Sequence, residues 1–228
     1  VPAYVWYAQE ARMYSLVVFL SALLVWLCLR SIHPAAAVTP RALAFRGLAV
    51  FLVGTFAAYT HFYALFVVAS VALLSSVWWL GAVRLRLPTF LSLLAATTAI
   101  VVAYLPWTQF TLTRLAEDAS YYQGALDVTL ALKQTALLFT VGKTTDQGSA
   151  LWAAGGCTAF SVVGLALFAR RRGGLLPAVL LLSYLLVPTL LVFVITYGRP
   201  KFHPRYLLLV SPAVLLAMAQ GFSQLWWP

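Results

Sequence analysis

Acidic residues are scarce in this sequence, which has 5 Asp and Glu against 15 Lys and Arg among 228 residues. Charged side chains make up only 9% of the chain, whereas 63% of the residues are hydrophobic and the mean hydropathy is +0.93. Soluble domains are about one-quarter charged, so this composition excludes an ordinary soluble protein. It predicts an all-α, polytopic membrane helix bundle whose immediate partners are membrane lipids.

Cysteine is equally rare, and the two cysteines have no partners nearby in the sequence. Cys28 and Cys157 both lie inside apolar runs. This spacing fits neither a disulfide framework nor a metal site, so we interpret both as small apolar packing residues. The net charge of +10 comes from basic residues scattered singly between apolar runs. Without a basic patch interleaved with aromatic residues, nucleic acid is not expected as a partner.

Long apolar runs divide the chain into seven predicted transmembrane helices, since a span needs about 17 to 25 apolar residues. These runs cover residues 13–29, 43–59, 62–80, 90–106, 149–169, 175–196 and 206–222. The second and third runs meet at Thr60 and His61 with almost no loop. We therefore predict that they form a tight antiparallel pair and that His61 lies at a membrane interface.

Segment 107–148 is predicted to be a loop on the outer face that carries an interfacial helix. Leu126, Leu130, Leu137 and Val141 recur within it at roughly helical spacing. Such a stripe is typical of an amphipathic helix lying in the interface plane. The alternative is a partial span packed inside the bundle.

The predicted orientation depends on basic residues in short loops, because cytoplasmic loops retain Lys and Arg. Three loops fall on one side if the seven spans alternate, and they contain Arg30, Arg41, Arg46, Arg84, Arg86, Arg170, Arg171 and Arg172. We place these loops in the cytoplasm. The opposite, outer side then holds all five acidic residues and the loop at 197–205.

The middle of every predicted span lacks Asp, Glu, Lys and Arg. A charged group at that depth costs about 2.5 to 3.5 kcal/mol, and ion-coupled transporters retain such groups for function. The pattern therefore argues against a proton-coupled or sodium-coupled carrier.

A first polar cluster precedes the first span and contains Gln9, Glu10, Arg12 and Tyr14. Residues two apart on a helix point away from each other, so Glu10 and Arg12 do not pair side by side. Each of them is expected to have its own partner. For Glu10 a structural alternative is a favourable interaction with the positive end of the helix dipole.

A second polar cluster surrounds His61, between Thr60 and the aromatic residues Phe62 and Tyr63. Histidine titrates near neutral pH and can serve in proton transfer or binding. Interfacial aromatic and amphipathic side chains also act simply as anchors at the headgroups. Both interpretations of His61 are open at this point.

A third cluster lies directly before the last span and contains Arg199, Lys201, His203, Arg205 and Tyr206. So many cations in a short outer loop oppose the positive-inside tendency. Phosphate binding would explain them, because Arg matches phosphate oxygens bidentately and Lys adds a point charge. The alternative is attraction to anionic lipid headgroups.

Taken in order, three motifs resemble bacterial membrane glycosyltransferases of the GT-C superfamily. They are YAQEARMYSL at 7–16, YTHFYAL at 59–65 and HPRYLL at 203–208. The nearest group comprises the dolichyl-phosphate-mannose protein mannosyltransferases and the lipid A aminoarabinose transferases. The resemblance implies a single GT-C-like domain over 1–228 in the bacterial inner membrane, with its active site facing the periplasm or exterior. It also implies inverting transfer of a hexosyl or pentosyl group from a polyprenyl-phosphate-linked donor to an acceptor lipid, glycan or protein.

The resemblance also assigns roles to residues of this chain. The family's catalytic base is an Asp in the first outer loop, and nothing here matches that segment. We therefore expect the base upstream of Val1, and we expect an internal or C-terminal fragment that transfers no sugar alone. By the same resemblance, the donor phosphate is flanked by Arg12, Lys201, His203 and Arg205.

The remaining implied roles are supporting ones. Glu10 would position the donor or acceptor, or help to hold a divalent cation if one is used. Tyr14, His61 and Tyr206 would line the cavity. A different class of protein also fits the sequence: a lipid facilitator, flippase or transporter that recruits anionic lipid with the outer cations and makes no new bond.

Overall fold

The computed structural model describes residues 13–33, 38–80, 86–117, 127–140, 147–171, 174–197 and 202–226. Within these ranges the secondary structure is entirely helical, which confirms the all-α prediction. The helices are α1 (Tyr14–Ile32), α2 (Pro40–Thr60), α3 (Ala64–Leu80), α4 (Leu87–Glu117), α5 (Val128–Thr140), α6 (Gln147–Arg170), α7 (Leu175–Tyr197) and α8 (Ser211–Trp226). A 3₁₀ helix at Pro204–Val210 leads directly into α8.

Six of the described helical segments are long and apolar enough to cross a membrane. They are α1, α2, α4, the Ala150–Arg170 part of α6, α7, and the continuous segment Pro204–Ser223. Helix α3 has 17 residues, which is near the lower limit of about 17 to 25 for a span. These segments identify a multi-pass membrane protein. Which side faces the cytoplasm stays a prediction.

Local capping explains where several helices begin and end. The Thr39 side chain accepts a hydrogen bond from the Ala42 N–H at 3.2 Å, and Pro40 occupies the first turn of α2. Both are typical helix-start features. At the turn from α6 to α7, the Gly174 N–H donates to the Arg171 carbonyl at 2.9 Å. A Cβ on Gly174 would lie 1.9 Å from the Phe168 carbonyl oxygen, so this turn requires glycine.

The chain divides into two compact units. The first unit is Phe19–Ser120, and the second combines Val1–Val18 with Tyr121–Pro228. In the first unit, Ser92 Oγ donates to the Leu43 carbonyl at 3.1 Å and Tyr59 OH donates to the Ala103 carbonyl at 2.8 Å. Helices α2 and α4 therefore run in the same direction. Helix α3 runs in the opposite direction after a turn of three residues.

Small residues allow α2 and α4 to approach closely. A Cβ on Gly47 would lie 2.9 Å from Ser92 Oγ, and one on Gly54 would lie 2.3 Å from Ile100 Cδ1. Close backbone approach at small residues is a common means of helix association in membranes, where lipid provides no hydrophobic drive between helices. These glycines therefore determine the spacing of the two helices.

In the second unit, α6 and α8 cross at a pair of glycines. A Cβ on Gly164 would lie 2.2 Å from the Gly221 Cα, and one on Gly221 would lie 2.8 Å from the Phe160 carbonyl oxygen. Helix α7 runs antiparallel to the last span, because Phe193 packs on Phe202 at 5.4 Å and Tyr184 bonds to Leu209. The last two spans of this unit therefore run in opposite directions.

Helix α4 extends beyond its predicted end at Pro106 and continues to Glu117. The beginning of segment 107–148 is therefore helical, and the prediction of a loop there is wrong. The Thr108 and Thr111 hydroxyls donate to the carbonyls four residues earlier at 3.4 and 3.1 Å. These bonds do not reach the Val102 carbonyl, which is the one that Pro106 leaves without its helical donor; proline is nevertheless tolerated within membrane helices where other groups satisfy the freed carbonyl. At 31 residues, α4 is about 46 Å long, which exceeds the hydrocarbon core of about 30 Å.

Helix α5 confirms that a helix follows in this segment. The side chains it buries are Ala131, Thr135, Leu138 and Phe139, whereas Leu130 is 48% exposed. The predicted leucine stripe is therefore not the face that packs on protein. Leu126 and Val141 lie outside the described residues. The location of α5 at the outer interface stays a prediction.

Candidate functional site

Four of the predicted site residues come together in the second unit. Tyr14 is the first residue of α1, His203 precedes the 3₁₀ helix, and Arg205 and Tyr206 lie in its first turn. The Arg205 Cζ atom lies 5.8 Å from the centre of the Tyr14 ring and 5.7 Å from that of Tyr206. We call these four residues the Arg205 cluster.

Arg205 is a buried cation, with only 8% of its surface exposed. A guanidinium stays protonated in proteins, so burial does not neutralise it. Tyrosine rings within about 6 Å attract a cation through their π faces by about 0.5 to 2 kcal/mol, the larger value when water is excluded. The cluster therefore holds a fixed positive charge with forked N–H donors, an arrangement suited to an anionic group such as phosphate.

His203 shapes the backbone that carries Arg205. Its Nδ1 accepts a hydrogen bond from the Arg205 N–H at 3.1 Å, and Pro204 occupies the first position of the 3₁₀ helix. An Nδ1 that accepts a hydrogen bond carries no proton itself. The proton of the neutral ring is therefore on Nε2. The ring also packs edge-on against Tyr206 at 6.2 Å. His203 thus caps the helix and fixes one side of the cluster.

The 3₁₀ helix is buried along most of its length and packs against α5, α7 and α8. The hydroxyl of Tyr184, from α7, donates to the Leu209 carbonyl in this helix. Tyr184 is not among the site residues predicted from the sequence. One available signal was its position as a polar aromatic residue within the apolar run at 175–196.

His61 lies in the first unit, at the turn between α2 and α3. Its N–H donates to the Ala57 carbonyl and its carbonyl accepts from the Ala64 N–H, both at 2.9 Å. Its Nδ1 accepts from the Tyr63 N–H at 3.3 Å, and the ring stacks on Phe62 and Tyr63. The predicted tight pair of α2 and α3 is confirmed. A cavity-lining role for His61 stays a prediction.

Several predicted site residues lie outside the described part of the chain. These are Gln9, Glu10, Arg12, Arg199 and Lys201. The roles of Arg12 and Lys201 at the phosphate, and the supporting role of Glu10, therefore stay predictions. Segments 118–126 and 141–146 of the predicted outer loop are likewise outside.

Carboxylates and metal ligands are sparse in what the structure describes. Asp127 Oδ1 accepts the Leu130 N–H at 3.0 Å and so caps α5. Over the described ranges, no group of three or more His, Cys, Asp or Glu residues is arranged to hold a metal ion. The predicted binding of a divalent cation with the help of Glu10 therefore stays a prediction, because Glu10 lies outside those ranges.

Comparison of the chain with protein-family models, curated proteins and solved structures found no match. What can be said about function therefore depends on the chemistry of the Arg205 cluster and on the three motifs quoted above.

Proposed function

We propose that this chain forms the donor-phosphate side of a membrane glycosyltransferase that uses a polyprenyl-phosphate-linked sugar. The observation that carries the proposal is the buried guanidinium of Arg205, held between Tyr14 and Tyr206 at the start of an apolar span. A polyprenyl phosphate has an anionic head at the membrane surface and a long apolar chain in the lipid. The Arg205 cluster matches the head, and the exposed apolar faces of the spans match the chain.

The reaction needs a cation at this place. An acceptor hydroxyl oxygen bonds to the anomeric carbon as the bond from that carbon to the phosphate oxygen breaks. The bonding electron pair leaves with the phosphate, and the hydroxyl proton passes to a general base. Negative charge therefore grows on the departing phosphate, where a preorganised cation lowers the barrier. Arg205 supplies that cation, and the base is proposed to be a carboxylate outside the described residues.

The two tyrosine rings make the cation more effective. Their ring centres lie 5.8 and 5.7 Å from the Arg205 Cζ atom, and only 8% of the Arg205 surface is exposed, so the charge acts in a medium of lower dielectric constant than water. Phosphate oxygens then approach in the guanidinium plane, where its N–H donors form a fork. Lysine cannot reproduce this arrangement, because an ammonium group is a point charge without a planar fork. The GT-C resemblance adds Arg12, Lys201 and His203 as further phosphate ligands and Glu10 in a supporting role.

The proposal is tested by binding of polyprenyl phosphate to the full-length protein in lipid nanodiscs. Arg205→Ala is expected to weaken this binding about tenfold or more, since a hydrogen bond to a charged group contributes about 1.5 to 3 kcal/mol. Arg205→Lys is expected to bind with intermediate affinity. Polyprenol, which lacks the phosphate, should bind equally to all three proteins.

Arg114→Ala is the matched control. The Arg114 guanidinium lies 5.3 Å from the Phe110 ring centre, but its side chain is exposed. The Arg114→Ala variant therefore tests whether the loss of any arginine that contacts an aromatic ring weakens the binding of polyprenyl phosphate. Unchanged binding and normal sugar transfer by Arg205→Ala would remove the cluster from the mechanism. If the wild type moves polyprenyl phosphate across the bilayer without transferring sugar, the protein is a lipid facilitator and not an enzyme.

A further inference from the structure

Pro212 removes a backbone donor at the point where the 3₁₀ helix passes into α8. In a 3₁₀ helix the N–H of residue 212 would donate to the Leu209 carbonyl, and in an α-helix it would donate to the Leu208 carbonyl. Proline has no N–H to give. The junction therefore needs other donors, because buried carbonyls without partners are costly, above all within a membrane.

Two hydroxyl groups supply these donors. Ser211 Oγ donates to the Leu208 carbonyl, and Tyr184 OH donates to the Leu209 carbonyl. The backbone N–H of Ser211 also donates to Leu208. Tyr184, Leu208 and Leu209 are each at least 97% buried. The tyrosine hydroxyl thus joins α7 to the junction in a place that water does not reach.

The Tyr184 bond favours the 3₁₀ form over the α form. Without the hydroxyl, the Leu209 carbonyl can gain a donor by taking the Ala213 N–H in α-helical geometry. Ser211 Oγ would still satisfy Leu208 in that arrangement. Loss of the hydroxyl therefore favours α-helical geometry at residues 210–212, and helix propagation from that turn would extend it back through 204–209.

Such a shift would move Arg205 away from its present partners. Leu209 and Arg205 are four residues apart, and the two helix types differ by about 20° and about 0.5 Å per residue. Conversion would rotate Arg205 by about 80° and move it by about 2 Å along the axis. The present contact, in which the Arg205 Cζ atom lies 5.8 Å from the Tyr14 ring centre, would be lost.

We propose that Tyr184 is a positioning residue for the Arg205 cluster, because its hydroxyl holds Pro204–Val210 in the 3₁₀ form that directs Arg205 towards Tyr14. This inference rests on the proposed function of the cluster as a phosphate site. Tyr184 itself touches neither phosphate nor sugar in this proposal. It acts through the helix that carries the arginine.

The test is Tyr184→Phe in the full-length protein in nanodiscs, with polyprenyl phosphate as the probe. The ring is kept and only the hydroxyl is removed. Affinity is expected to fall about tenfold, the change that corresponds to about 1.4 kcal/mol for one buried hydrogen bond. Hydrogen exchange at residues 204–213 should change as well. Tyr197→Phe is the control, since this tyrosine lies in the same helix and is 75% exposed.

A double mutant separates positioning from a general effect on the fold. If Tyr184 acts through Arg205, then Tyr184→Phe combined with Arg205→Ala binds no more weakly than Arg205→Ala alone. Additive losses would overturn the proposal. A Tyr184→Phe protein that shows no cooperative unfolding would also overturn it, because the hydroxyl would then serve folding.

The outcomes distinguish this inference from the proposed function. If Arg205→Ala weakens binding and Tyr184→Phe does not, the positioning role fails and the phosphate site stands. If Arg205→Ala leaves binding unchanged, the phosphate site fails, and the positioning role fails with it.

Discussion

The contact between Gly164 of α6 and Gly221 of α8 is the basis of a quantitative prediction. A Cβ on Gly164 would lie 2.2 Å from the Gly221 Cα and 2.5 Å from its backbone nitrogen. Backbone atoms cannot rotate away as a side chain can. Since carbon atoms in contact are about 3.5 to 4.0 Å apart, Gly164→Ala must separate the helices locally by at least about 1.3 Å.

The expected destabilisation follows from this separation. Inserting a group into a packed contact costs about 1 to 3 kcal/mol. Alanine partly offsets this, because its helix propensity exceeds that of glycine by up to about 1 kcal/mol. Gly155→Ala isolates the packing contribution, since Gly155 lies in the same helix and nothing lies within 4 Å of its Cβ position. The propensity gain then cancels between the two variants, and Gly164→Ala should be less stable than Gly155→Ala by about 1 to 3 kcal/mol.

The assay is unfolding of the full-length protein in mild detergent by titration with sodium dodecyl sulfate, followed by circular dichroism. Gly164→Ala should unfold at a lower fraction of denaturing detergent than the wild type. Gly155→Ala should unfold at the wild-type fraction or slightly above it. Equal midpoints for the two variants would refute the close crossing of α6 and α8.

Two further predictions concern the first unit. Gly54→Ala should destabilise the protein less than Gly164→Ala, because the nearest atom is a side-chain end, Ile100 Cδ1, at 2.3 Å. Adding Ile100→Val, which removes that atom, should recover part of the lost stability in the same detergent titration. No recovery would contradict this contact. His61→Ala should lower stability by about 0.5 to 2 kcal/mol, as loss of a capping acceptor does, because Nδ1 no longer accepts the Tyr63 N–H. His61→Asn should retain most of the stability, since asparagine bonds to the backbone two residues on. Equal loss in both variants would contradict the capping role.

The spans could be predicted from the sequence because a bilayer imposes a minimum length on apolar helices. The run at 175–196 corresponds to α7 at Leu175–Tyr197. The end of α4 could not be predicted, because Pro106 and the polar residues after it indicate a loop in sequence terms. The helix nevertheless continues through Pro106 to Glu117. Membrane helices tolerate proline where their surroundings satisfy the freed carbonyl, and the sequence does not show those surroundings.

The site was predictable in part for a similar reason. The ordered motifs suggested that Tyr14, Arg205 and Tyr206 serve one cavity, and the structure does bring these three side chains together. The 3₁₀ conformation beneath them was not predicted. It depends on Pro212 and on a bond between Tyr184 and Leu209, which are 25 positions apart in the sequence. A tyrosine in an apolar run indicates that its hydroxyl has a partner, but it does not identify the partner.

Two of the three histidines, His61 and His203, bear on the identity of the proposed general base. In both His61 and His203, Nδ1 accepts the backbone N–H of the residue two positions later, at 3.3 and 3.1 Å. The neutral ring then carries its proton on Nε2, so in this arrangement neither nitrogen is available to remove a proton from an acceptor. If the proposed transfer takes place, its base is therefore neither His61 nor His203, and the GT-C resemblance implies a carboxylate outside the described residues in that role.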